Sequence, residues 1–144
     1  MQPQSYKNHR QYVPVYHFGL LLLLIIVLAG SVWNFYRAYD ALSGRLSAAL
    51  IFGLSLAGII YYIYTRAFAL RAQDRAIRAE ENLRHFILAG KPLDSRLRMG
   101  QIIALRFCDD SEFPSLAQKA ADDNMKGDDI KKAIQNWRPD NYRV

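Results

Sequence analysis

The chain holds a single cysteine, Cys108, in 144 residues. A lone thiol excludes an intrachain disulfide, and no C-x-x-C pair is present to hold zinc or a redox couple. Cys108 follows Phe107 in an apolar-rich stretch and reads as a small core residue rather than a reactive thiol. A glycine-rich phosphate loop and a nucleophile elbow are both missing. The three histidines, His9, His17 and His85, are isolated, with no metal-ligand spacing. Catalysis has no candidate constellation, so a non-enzyme without metal or cofactor is expected. Two further absences are regional. No Asp, Glu, Lys or Arg occurs in residues 17–36 or 46–64, and neither proline nor glycine occurs between Gly58 and Gly90.

The charge-free stretches, HFGLLLLLIIVLAGSVWNFY and LSAALIFGLSLAGIIYYIY, are each about 20 residues long. At about 1.5 Å per residue a helix of either suffices to cross a ~30 Å hydrocarbon core. Leu28-Ala29-Gly30-Ser31 has the outline of a lipoprotein cleavage box, but Ser31 stands where a cysteine must be lipidated. Val27-Leu28-Ala29 fits an ordinary signal cleavage site. The long preceding segment, and continuation of the run through Trp33, Phe35 and Tyr36, favour a retained membrane helix.

A short polar connection, Asp40 to Arg45 with Ser43-Gly44, forces an antiparallel hairpin. Lys7, Arg10, Arg66, Arg71, Arg75, Arg78 and Arg84 lie on the terminal side of it, against Arg37 and Arg45 on the loop side. The positive-inside bias places both termini in the cytoplasm, which in a bacterium means the inner membrane. Trp33, Tyr36 and Tyr39 then form the outer aromatic belt, and Tyr12, Tyr16, Tyr61, Tyr62 and Tyr64 the inner one. The net charge of +6 is confined to residues 1–91, which hold ten basic and four acidic residues; residues 92–144 hold nine of each. A neutral tail argues against nucleic-acid binding despite the basic isoelectric point. Anionic lipid headgroups, met by Arg66, Arg71, Arg75 and Arg78, account for the same charges.

From Ser47 to Ala89 good helix formers dominate, so the second span continues as one helix of about 65 Å. Beyond the apolar run Ala69, Ala72, Ala76, Ala79, Leu83 and Phe86 recur at alternating spacings of three and four, which is a heptad seam. Leu70 and Ile77 widen it, and Arg71, Arg75 and Arg78 fall opposite. Asp74–Arg78 and Glu80–Arg84 are acid-to-base pairs at i,i+4. Within the span, Gly53 and Ala57 are spaced like a close-packing interface. Both seams either pack on the chain's own first span and tail, or serve assembly with a neighbour.

Gly90, Pro92 and Asp94-Ser95 break the long helix. Three short helices are expected after it, over 98–107, 111–123 and 128–137. Asp110 or Ser111 caps the second, and Ile130, Ala133, Ile134 and Trp137 form a stripe on the third. About 50 residues is marginal for an independent fold, so the tail is expected to lean on Leu83, Phe86 and Ile87. Asp109-Asp110, Asp122-Asp123 and Asp128-Asp129 read as caps and dipole partners rather than metal ligands. Asp122-x-Asn124-x-Lys126-Gly127 opens like a calcium loop, then fails at Lys126 and at Ala133, where the bidentate glutamate belongs. Leu116-Ala117 with Ile130 and Ile134 is a poor helix-turn-helix, its turn too long. The spans lack Asp, Glu and Lys at mid-depth, which lowers a transporter reading. A ring of Asn34 or Ser55 in an oligomer would still wet a pore.

FALRAQDRAIRAEENLRHF (68–86), QIIALRF (101–107), DIKKAI (129–134) and YVPVYHF (12–18) resemble a bacterial family of small two-span membrane proteins, catalogued as a domain of unknown function. The resemblance covers nearly the whole chain. It implies an inner-membrane setting, and no functional residues come with it.

The reading is an all-α membrane protein: a two-helix transmembrane hairpin with a long second helix extending into the cytoplasm and a small cytosolic helical tail. Its segments are 1–14, a first span over 15–39, a loop over 40–45, the long helix over 46–89, and the tail over 90–144. The expected function is assembly, as a homo-oligomeric scaffold or an accessory subunit of a larger membrane complex. The interface is Gly53, Ala57, Ala69, Ala72, Ala76, Ala79, Leu83 and Phe86, and the partners are anionic lipid and itself or other membrane subunits. The alternatives are a small homo-oligomeric channel and a membrane-tethered regulatory module.

Overall fold

A computed structural model describes residues 5–6, 12–38 and 42–140. All regular elements among these residues are helical. A π-helix over Val15–Leu20 leads into α1, Leu21–Arg37; α2 covers Leu42–Ala89, and α3, α4 and α5 cover Met99–Leu105, Phe113–Asp122 and Gly127–Ala133. The chain divides into two compact units, Tyr12–Ala69 and Met1–Gln11 with Leu70–Val144, so α2 contributes to both.

In the first unit α1 and α2 run antiparallel. The Ser31 and Ser55 hydroxyls meet at 3.1 Å between the helices, each also within reach of a carbonyl of its own helix, at Leu28 and Phe52. The Tyr16 hydroxyl donates to the Tyr62 carbonyl at 2.8 Å, and the two rings stack at 4.7 Å. Leu24 fills the space over Gly58, and Phe35 meets Phe52. Most other side chains of this unit are apolar and exposed. The stretches Val15–Arg37 and Gly44–Ala89 are long and apolar enough to cross a membrane. The connection is shorter than the expected loop of 40–45: α2 already begins at Leu42, so Ser43-Gly44 and Arg45 are helical. The run of helix-favouring residues that follows outweighs the cost of one terminal glycine, about 1 kcal/mol. Tyr39, at the end of the expected first span, and Asp40 and Ala41 of the expected loop lie outside the described residues.

The second unit has the core of the molecule: Ile77 of α2 with Leu97, Ile102, Ala104, Leu105, Phe107, Cys108, Phe113, Leu116, Ala117, Ala120, Ala121, Ile130 and Ile134. The α2 C-terminus is closed by Gly90, at φ +67, whose N–H donates to the Phe86 carbonyl. Glycine takes this left-handed turn without a Cβ penalty. Helices α3 and α5 approach closely because position 127 has no side chain. A Cβ there would stand 2.9 Å from the Gly100 carbonyl oxygen. Buried Gln101 crosses to the α4–α5 turn, donating to the Met125 carbonyl at 2.8 Å.

The three tail helices are present but shorter than expected, and α5 is corrected most. It stops at Ala133, Ile134 is extended, and Ala133 is exposed. The Glu112 carboxylate accepts from the Gln135 and Asn136 amides, and residues 136–138 pair with 107–109 around a Cys108–Trp137 bridge. These partners offer the backbone more than one further helical turn would, and Trp137 reaches Phe107 from extended chain, with the rings at 5.2 Å. The cap of α4 is corrected too. Glu112 precedes the helix, while Asp109 closes the turn by accepting from the Ser111 amide and hydroxyl, and Asp110 turns to Arg84. Asp128 and Asp129 do lie in the first turn of α5, opposite Lys131 and Lys132 in its last, as a helix dipole favours.

Candidate functional site: the free face of the long helix

The tail packs on one side of α2, and that side is built from polar residues. Arg84 is its hub. Its Nε donates to Asp110 at 2.6 Å, one terminal nitrogen to Glu81 at 2.9 Å and the other to the Cys108 carbonyl at 2.6 Å. Its guanidinium lies 4.3 Å over the Phe113 ring. Buried His85 meets the Lys91 carbonyl through Nδ1 at 2.8 Å and sets its ring edge-on to Phe113. Asn82 accepts from the Leu93 amide, which fixes the chain leaving α2. A half-buried guanidinium with every arm engaged is held more firmly than an isolated surface ion pair.

This arrangement corrects two expectations. The i,i+4 pair Glu80–Arg84 does not form, because Glu81 and Asp110 reach Arg84 from the side the tail covers. The tail does not lean on Leu83, Phe86 and Ile87, which remain 60, 54 and 72% exposed; Ile77, Glu81 and His85 are the buried residues. Apolar character alone points to the wrong face, because the contact is made by a satisfied polar cluster around one isoleucine.

The predicted seam is thus left open. Ala69, Ala72, Ala76 and Ala79 are exposed, as are Leu83 and Phe86, and so are Gly53 and Ala57 in the first unit. In that unit α2 meets α1 through Phe52, Ser55, Gly58 and Tyr62 instead. Ser55 is buried against Ser31 within the hairpin, which removes it as a pore-lining residue, whereas Asn34 is exposed.

Two open grooves flank the free face in the second unit. One, of about 690 Å³, is lined by Glu80, Leu83, Arg84, Ile87, Arg106 and Asp140 among others. The other, of about 380 Å³, is lined by Arg75, Arg78, Ala79, Asn82, Leu93 and Leu97 among others. Neither brings a nucleophile to a base. Among the described residues no three His, Cys, Asp or Glu side chains are placed to hold a metal ion; His9 lies outside them. Burial pushes the Cys108 thiol up to about 12, so at neutral pH it is protonated and inert. Sequence reasoning missed the Arg84 hub and the Ser31–Ser55 contact. The only signal for either was a polar residue at a helix position facing another element.

Among the described residues, fold and site define a helical protein with two helices long and apolar enough to cross a membrane, the longer of which, α2, exposes an apolar face. Over residues 1–144 the chain matches the Family of unknown function (DUF6526), and it belongs to that family. No curated protein matches it, and no solved structure does.

Proposed function

We propose that the protein is a non-enzymatic membrane assembly protein, a homo-oligomeric scaffold or an accessory subunit of a larger complex. The observation that carries this reading is the open seam of α2. The tail is satisfied on the opposite side, so Ala72, Ala76, Ala79, Leu83 and Phe86 stay available to a neighbour. Small residues allow close helix approach, and the larger ones at the end supply apolar area.

Supporting the membrane setting, Leu22, Ile26, Leu50, Leu54 and Ile63 are among many large apolar side chains exposed on the hairpin, which water does not accommodate at this density. The excess of Lys and Arg on the terminal side supports a reading with both termini cytoplasmic, which in a bacterium means the inner membrane. Counted along α2 from Tyr64 at about 1.5 Å per residue, Arg66 lies about 3 Å and Arg71 about 10 Å past the apolar run. The headgroup layer is about 5–8 Å deep on each side. Arg66 therefore falls within the headgroup layer and Arg71 just beyond it, within reach through its long side chain, while Arg75 and Arg78, about 16 and 21 Å out, are better placed for protein contacts.

The test is Ala76→Glu with Ala79→Glu. The double variant is expected to insert into the membrane normally and to run at the mass of a single chain, or to be lost from its native complex, after detergent extraction. An unchanged assembly would refute the seam as the interface. The exposed Asn34 amide favours a channel as the second reading; ion conductance in reconstituted bilayers that is lost in Asn34→Leu would place it first.

A further inference from the structure

In the heptad register set by the seam, Ala69, Ala76 and Leu83 occupy a, and Ala72, Ala79 and Phe86 occupy d. Ile77 and Arg84 then fall at b, His85 at c and Glu81 at f. These are the α2 positions that the tail covers. In a two-stranded coiled coil b, c and f face outward, and a, d, e and g meet the partner. The tail thus takes the outward side of α2 together with one g position, Asn82, which accepts from the Leu93 amide, and it leaves the a and d residues exposed.

Each flank of the partner side carries one charged residue, and the two are of opposite sign. Arg75 stands at g and Glu80 at e, both exposed, and neither forms an ion pair among the described residues. In a parallel pair each g residue faces the e residue five positions later on the other strand, and such pairs set partner and orientation. Arg75 and Glu80 have that spacing.

From this charge order we infer that the occupant of the face is a second copy of the same chain, its α2 lying parallel and in register about a two-fold axis, with two equivalent Arg75–Glu80 ion pairs across it. A uniformly acidic partner would meet Glu80, and a uniformly basic one Arg75. The helix's own two-fold mate satisfies both flanks at once. An antiparallel mate would set like flanks together, g against g and e against e, and leave both charges unmatched. Two copies inserted with the same topology are already parallel. The inference rests on the assembly reading and names its partner.

The experiment is sedimentation of the full-length chain in detergent over a range of protein-to-detergent ratios. The native chain is expected to dimerise. Arg75→Glu and Glu80→Arg should each raise the dissociation constant about tenfold, and the swapped double variant should recover native association. A mixture of the two single variants should form heterodimers in preference to either homodimer. Arg78→Glu, an equal change of charge at an exposed c position, should leave association unchanged, which separates pairing from general charge effects. Single reversals without effect, or a double swap that does not recover, would overturn the inference. So would a native chain that stays single at every ratio. In that last case loss of a fixed-stoichiometry native complex on Ala76→Glu with Ala79→Glu keeps the assembly reading and shifts it to an accessory subunit; an intact complex removes both.

Discussion

Gly127 shows how much one missing methyl group decides. The backbones of α3 and α5 touch there, and the obstacle to a side chain is the Gly100 carbonyl rather than a movable side-chain tip. Gly127→Ala gains up to about 1 kcal/mol of helix propensity but must push two packed helices apart. Overpacking of this kind costs about 1–3 kcal/mol, so the variant is expected to be less stable by chemical denaturation of the tail signal. Asp94 gives a pH prediction. The Arg96 guanidinium hydrogen-bonded to it holds its carboxyl down to about 2, against an ordinary value of 3.8. Arg96 is shared with Asp122, whose carboxyl is also lowered, by Gln118 and then by Arg96. A carboxyl that releases its proton more readily when folded stabilises the fold above the unfolded value and loses that contribution as pH falls. The stability difference between the native chain and Asp94→Asn should therefore be constant above about pH 4 and close between pH 4 and about 2. A gap that persists at pH 2 would show that the cluster does not couple to folding.

Among the elements, α2 was the most legible in the sequence. Its continuation past the apolar run followed from the absence of proline and glycine between Gly58 and Gly90, and its free face from the three-four spacing of alanines, because both are properties of one helix read alone. The face that holds the tail was not legible. Glu81, Arg84 and His85 look like solvent-facing residues until Asp110, the Cys108 carbonyl, Phe113 and the Lys91 carbonyl come to meet them, from elements up to 29 positions away in sequence. The end of α5 was hidden for the same reason. Nothing local in the residues after Ala133 announces that Glu112 and the Phe107 carbonyl compete for their amides. Ile77 is the α2 side chain in the tail's buried cluster. Ile77→Asp buries an unpaired carboxylate at that contact and should cost about 3–5 kcal/mol, seen as exposure of Cys108 to a thiol reagent while the hairpin signal is unchanged. Slow labelling equal to that of the native chain would mean that the tail holds without this contact.

For the whole molecule, the account depends on α2 presenting one face to its own tail and the other to a neighbour within the membrane-bound assembly. Cysteine scanning of residues 66–89 in native membranes, read by a membrane-permeant thiol reagent, tests that most directly, since buried Cys108 contributes no background. Cysteines at Ala72, Ala76 and Ala79 are expected to be protected, although these positions are open in a single chain, while Arg71 and Arg78 label freely. Full labelling at Ala72, Ala76 and Ala79, or equal labelling at every position from 66 to 89, would contradict the account.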